Sequence, residues 1–344
     1  MRWASLALIV LFCACGTAAP LIGNASAARS IQPSAAPPKS PSPPSASRLS
    51  CRLPITVPGG QTRSGGFVNL PAGTFTPDPS SLAVNSILQP GREFVDQTYA
   101  LYFDRAFLRW LPVHRSAVSP DGTHYAFTDR PIGTAWSPTT RISLHVVEVR
   151  TDRQVTFDAG DGSDPLIVLD YAANGIYLTT FAYHGLWLVN PRTGDINRVA
   201  ELSLVQGSAG DGFFWVGAVN PNDPHPIVGA AADELDLLNL ADGSRVPWLY
   251  VPGSSVHFVA QDVNRHPIVI TSTVEINSVQ LFYLPGPGIS RTIPQTNGLP
   301  NISDPLSDLH GVWFGATDGI YLYSEAGGLR KVSSQPGWPA NGCA

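Results

Sequence analysis

Carboxylates recur along the chain in company with histidine and aromatic side chains. They stand at Asp129 with Arg130 and Trp136, at Asp164, at Asp211, at Asp233 and Glu234, near His257, at Glu275, at Asp304 and at Asp318, with Tyr183 and His184 falling among them. Gathered at one mouth, such residues would hold a divalent cation through oxygen ligands, a cationic ligand, or a sugar stacked on Trp136 or Tyr183. The competing reading is that aspartate occupies turns because its side chain bonds nearby backbone N–H groups. Preformed chemistry is missing. The eight histidines show no His-Glu-x-x-His or His-x-His spacing, so no zinc motif is written into the chain. His257 and His310 read either as a metal pair or general base, or as ordinary strand residues. There is no Gly-x-Ser-x-Gly elbow, and Gly286-Pro287-Gly288 lacks a P-loop lysine. No cofactor is evident, and a divalent cation is the one that the acidic residues would suit.

The elements that must position these residues are short strands. Glycine and proline contribute 32 residues each to a chain of 344, and only 14% is charged. That punctuation suits strands and turns rather than long helices. A degenerate repeat of about 45 residues runs through the chain, each copy holding four short strands. The clearest copy begins at Trp110, ends a strand at Ala117-Val118-Ser119, turns at Pro120-Asp121-Gly122, and continues through Ile142–Val149 and Gln154–Phe157. Further copies centre on Ala173-Asn174-Gly175, on Phe213 to Ala241-Asp242-Gly243, on Val256 to Gly288, and on Asp308 to Val332. Phe67–Leu70 and a strand near Phe75 form a hairpin that can complete one more unit with the carboxy-terminal strands. The expected fold is all-β, a β-propeller of six four-stranded blades. Trp187 and Trp313 fall in its core. Its ligand face carries the loops between blades (Asp164, Asp211, His257, Asp304) and those joining second and third strands (Asp129, Arg130, Trp136, Tyr183, His184, Asp233, Glu234, Glu275, Asp318).

Closing such a ring brings the chain ends together. Cys51 and Cys343 flank the body, and an oxidising compartment would join them as a disulfide. Export is what the amino terminus implies. Residues 1–28 read as a signal, with Arg2 before an apolar run from Ala4 to Cys15. Two routes stay open: Phe12-Cys13-Ala14-Cys15-Gly16 resembles a bacterial lipobox with lipidation on Cys15, and Ala25-Ser26-Ala27 offers a secretory cleavage site. Residues 29–50, rich in Pro, Ser and Ala, form a disordered tether, and residues 51–344 form the propeller. The protein is then lipid-anchored on the outer side of a bacterial cytoplasmic membrane, or secreted. Four basic residues and no acid lie in residues 1–50, leaving 17 basic against 26 acidic residues beyond them. An acidic body without a basic run excludes nucleic acid as a partner and leaves the lipid anchor as the sole membrane contact.

Ser119-Pro120-Asp121-Gly122-Thr123-His124-Tyr125-Ala126-Phe127 resembles the signature of TolB-like, WD-repeat-like propellers. His310-Gly311-Val312-Trp313-Phe314-Gly315-Ala316-Thr317-Asp318-Gly319-Ile320 resembles the propeller repeat of two-component sensors and streptogramin lyases. The resemblance spans residues 105–335 and implies blade architecture, not chemistry. The expected function is a monomeric, non-enzymatic binding module for a protein, small-molecule or glycan partner. The alternative is a lyase or glycan-active enzyme that uses the acidic rim, a divalent ion, and His257 or His184 as base.

Overall fold

Apolar runs such as Phe213-Phe214-Trp215-Val216 are too continuous for a sheet with one wet face; they require strands buried on both sides. The computed structural model describes residues 49–57, 64–95, 101–134, 136–220, 232–273, 278–294 and 303–343. Blade 1 begins with β1 (Cys51–Val57), β2 (Ser64–Leu70) and β3 (Thr74–Asp78). A 3₁₀ segment, Pro79–Ser86, follows, capped by the Asp78 carboxylate on the Ser80 N–H. Blade 2 holds β4 (Arg92–Phe94), an inserted hairpin of β5 (Tyr102–Asp104) and β6 (Arg109–Leu111), then β7 (His124–Pro131), β8 (Arg141–Glu148) and β9 (Gln154–Asp161). Blade 3 is β10 (Leu166–Ala172), β11 (Gly175–Thr180), β12 (Leu186–Val189) and β13 (Ile196–Ala200). Blade 4 is β14 (Val205–Gly210), β15 (Phe213–Ala218), β16 (Glu234–Asn239) and β17 (Arg245–Tyr250). Blade 5 is β18 (Ser254–Gln261), β19 (Pro267–Thr273), β20 (Ser278–Gly286) and β21 (Ile289–Ile293). Blade 6 is β22 (Ser303–Asp308), β23 (Gly311–Ala316), β24 (Gly319–Ser324) and β25 (Gly328–Ser333). Finally β26 (Trp338–Pro339) pairs with β1 and completes blade 1 from the other end of the chain. The result is six four-stranded antiparallel blades in a ring.

The core lies between blades. Phe214 packs toward blade 3 against Tyr177, while its neighbour Trp215 packs toward blade 5 against Val256 and Val269. Phe314 and Trp313 divide in the same way, toward blades 5 and 1. This is strand alternation working on two interfaces at once. Between blades 1 and 2 the inserted hairpin supplies the filling: Leu101, Phe103 and Trp110 pack against Phe67 and Val84.

Two departures from the expected strand plan matter later. The first strand of blade 2 is β4, not the segment ending at Ser119, where only Val118 bridges Tyr125. Blade 4 starts at Val205 rather than Phe213, because β14 pairs with β15 through a tight turn at Asp211-Gly212. The Cys51–Cys343 disulfide forms, with Cα atoms 5.6 Å apart, between the end of the chain that follows β26 and the start of β1. In blades 3 to 6 a short turn joins those two positions.

Candidate functional site

The antiparallel order divides the ring into two faces. The turn face carries the connections between first and second strands and between third and fourth. The loop face carries those between second and third strands and between blades.

Trp136, Tyr183, His184, Asp318 and the blade-linking Asp164 lie on the loop face as expected. Other expected rim residues do not. Asp211 sits on the turn face, in the β14–β15 turn, paired with Arg265 of the adjacent blade. The reason is the displaced start of blade 4. Asp129 is inside β7 and 1% exposed, bound to Arg92 and His145. His257 lies within β18 and Asp304 within β22 rather than in loops, and Glu275 falls outside the described residues. Asp318 accepts hydrogen bonds from Tyr321 at 2.7 Å and Lys331 at 2.8 Å. Those bonds hold its carboxyl below the ordinary range. Among the described residues no three His, Cys, Asp or Glu side chains converge as a metal ion would require.

What the loop face does bring together is aromatic. Trp136 of blade 2 stacks on Phe181 of blade 3, with ring centroids 6.1 Å apart and planes at 28°. The Arg130 guanidinium lies 3.7 Å from the centre of the Trp136 ring. Phe181 is 52% exposed, Tyr183 47% and Trp136 45%, large apolar surface left facing solvent.

Phe181 and Tyr183 also line the central channel, a cavity of about 550 Å³. Its walls are the first strands of successive blades, β10, β14, β18, β22 and β26. Four of these, β10, β14, β18 and β22, carry a register shift against their neighbour. Such bulges bend a strand and re-aim its side chains, which is how polar groups reach a narrow axis. Where blade 2 has only the three-residue β4, the insertion lines the channel instead, with Tyr102, Arg115 and Ser116.

The channel's polar groups are partly committed. Asp170 accepts a 2.7 Å hydrogen bond from Ser208 of the next blade. Burial raises its carboxyl pKa, and the Ser208 bond and the Arg115 charge offset only part of this. Burial likewise raises the Tyr102 phenol, which accepts from Asn341 at 3.2 Å. Arg115 donates to the Val118 carbonyl at 2.9 Å and stands 5.5 Å from the Tyr102 ring. Gln261 accepts from the Trp215 indole at 2.9 Å, leaving its own N–H donors for the cavity. None of Asp170, Ser208, Arg115 or Gln261 was expected from the sequence. For Asp170 and Gln261 a signal was present: a carboxylate or amide within an otherwise largely apolar first strand.

Asp170 permits a direct check. Its raised pKa means that stability is intact below the unfolded carboxyl value of about 4 and falls as pH rises through the folded value. Asp170→Asn keeps an acceptor for Ser208 and removes that loss. The variant should match the parent in urea unfolding near pH 3.5 and be the more stable at pH 8. A variant less stable at both pH values would contradict the assignment.

No family model matches the chain, and comparison with curated proteins finds no match. Solved structures do resemble it at low identity. A lignostilbene dioxygenase from Pseudomonas brassicacearum is 12% identical, covering 70% of this chain and 72% of its own, with a TM-score of 0.39. Dipeptidyl peptidase 4 of Porphyromonas gingivalis is 12% identical, covering 83% and 47%, with a TM-score of 0.39. A gluconolactonase from Xanthomonas campestris is 13% identical, covering 74% and 91%, with a TM-score of 0.35. Likenesses this distant carry no activity over to this chain; the strand order itself defines it as a six-bladed β-propeller.

Proposed function

We infer that the protein is an exported, non-enzymatic binding module that takes a small glycan-type ligand at the loop-face mouth of its channel. One observation carries this reading: exposed Phe181 and Tyr183, with Trp136 stacked on Phe181, border a cavity lined by hydrogen-bonding side chains. A sugar ring offers apolar C–H faces to aromatic rings and hydroxyls to acids and amides, the combination this mouth presents. Export is supported by the signal-like residues 1–28, with anchoring through Cys15 or free secretion, and by a disulfide that suits an oxidising compartment.

The test is a panel of neutral and acidic oligosaccharides titrated against the protein, read by calorimetry. Saturable binding to at least one member is expected. Phe181→Ala with Tyr183→Ala should weaken it about tenfold, near 1.4 kcal/mol, without moving the melting temperature. Absence of binding across the panel would sink the reading.

A second reading has its own support. Asp170, held toward its neutral form beside Arg115 in the cavity, is the group a glycan-active enzyme would use as an acid. His184 and His257, the bases expected from sequence, do not line this cavity. Product analysis after long incubation distinguishes the two: turnover that Asp170→Asn abolishes would replace binding with catalysis.

A further inference from the structure

A second cavity, of about 900 Å³, opens on the opposite, turn face between blades 2 and 3. Strand length explains it. In blade 2 the outer strands β8 and β9 run eight residues each, whereas in blade 3 β12 has four and β13 five. The shorter sheet leaves the longer one uncovered at its outer end. The cleft floor is apolar, formed by Val146 and Val155 of blade 2 and Leu188 of blade 3, with Val155 44% exposed.

Two acids and two arginines line the cleft, so these charges balance in number, and what differs is which groups are already hydrogen-bonded. Two acids line it, and both are engaged locally. Asp121 accepts from the Ser119 hydroxyl at 2.6 Å and from the Thr123 N–H and hydroxyl at 3.0 and 2.8 Å. Glu148 accepts from Thr151 at 2.7 Å. Two exposed arginines also line it, Arg153 from blade 2 and Arg192 from blade 3. Neither guanidinium has a carboxylate within ion-pair distance among the described residues, although the body carries 26 acids. Amide groups complete the walls. Asn174 donates to the Tyr177 hydroxyl at 2.9 Å and keeps its carbonyl oxygen, and Asn190 accepts from the Arg192 N–H at 2.9 Å and keeps its N–H donors.

We propose that this cleft binds an extended segment of a partner protein in which an apolar side chain is flanked by acidic ones. The apolar side chain would rest on Val146, Val155 and Leu188, and the acids would meet Arg153 and Arg192 on the two walls. Asn174 and Asn190 offer an acceptor and a donor, the two functions a peptide backbone needs. The chain's own amino-terminal tether is excluded as the occupant by charge, because residues 1–50 contain four basic residues and no acid. This proposal is independent of the channel reading.

The test is selection of a displayed library of random nine-residue peptides on the purified full chain, followed by anisotropy titration of the enriched peptides. Enrichment of acidic–apolar–acidic sequences is expected. Arg153→Gln with Arg192→Gln should weaken those peptides at least tenfold, and so should Val155→Glu, which puts a negative charge on the floor. Both variants alter exposed side chains, so an unchanged melting temperature verifies folding. Enrichment of no acidic sequence, or equal binding by the double arginine variant, would overturn the proposal. Competition by millimolar inorganic phosphate as complete as by excess unlabelled peptide would assign the cleft to small anions and overturn it equally. Binding of oligosaccharides at the channel mouth should be untouched by these substitutions.

Discussion

Cys51→Ser with Cys343→Ser should lower the melting temperature of the protein by about 3–8 °C. The seam it protects is thin. β26 pairs with β1 at two positions only, Pro339 with Ile55 and Trp338 with Thr56. Beyond these pairs the Ala340 N–H bonds the Pro54 carbonyl at 2.9 Å, and the Cys343 N–H bonds Asp308 at 2.6 Å. In blade 4 the corresponding strand ends are joined by Asp211-Gly212, so their proximity is covalent. In blade 1 the disulfide does that work across a separation of 292 residues. The chain-entropy model allows a little over 5 kcal/mol for a loop of this size, and native bridges deliver roughly 2–5. With an unfolding entropy of about 2.1 cal/mol/K per residue, that range gives the shift stated. Reductant on the parent protein should reproduce it. A melting temperature unchanged within 1 °C would mean that packing of Leu53, Ile55 and Trp313 alone holds the ring.

The fold was more legible than the site, and the physical reason is locality. Turns such as Asp121-Gly122 and Ala173-Asn174-Gly175, and apolar strands such as Val312–Phe314, declare themselves in a few residues. The first strands of blades 2 and 4 do not, although those of blades 3 and 5 do. β14 reads Val-Gln-Gly-Ser-Ala-Gly, a poor strand by propensity, because space near the axis is short: a Cβ on Gly207 would lie 2.5 Å from the Phe258 ring. β4 is Arg-Glu-Phe, and only its pairing with β7 makes it a strand. Missing β14 carried Asp211 to the wrong face. Trp136 and Tyr183 could be placed on the loop face because a loop aromatic is visible in isolation. Asp170, Ser208 and Gln261 were not, because they belong to three different blades and meet only when the ring closes.

Asp129 separates framework from site most sharply. Read as a rim ligand, it should be dispensable for folding; buried as it is, Asp129→Ala should cost about 3–5 kcal/mol. Its carboxylate receives the Arg92 guanidinium at 2.5 Å and lies 2.9 Å from His145 Nε2, and Arg92 also donates to Ser143 at 3.0 Å. His145 is 4% exposed and stacks on Phe127, so removing the acid leaves its buried Nε2 without a polar neighbour, while Nδ1 keeps Gln154 and Thr156. Arg92 is the larger loss, since it ties β4 to β7 and β8 where the pairing of β4 is only three residues long. Burial by itself raises the Asp129 pKa, but hydrogen bonds and charge from His145 and Arg92 outweigh it and leave the carboxyl below its ordinary value. The stabilisation is therefore complete above the unfolded value of about 4 and is lost as pH falls through the lower, folded one. In urea unfolding at pH 7 the alanine variant should have a clearly lower midpoint, and the gap to the parent should narrow below pH 4. A variant that unfolds with the parent at pH 7 yet no longer binds ligand would return Asp129 to the site. The expected pattern, lost stability with ligand affinity kept in the fraction that folds, makes it the residue that holds β4 onto β7 and β8 within blade 2.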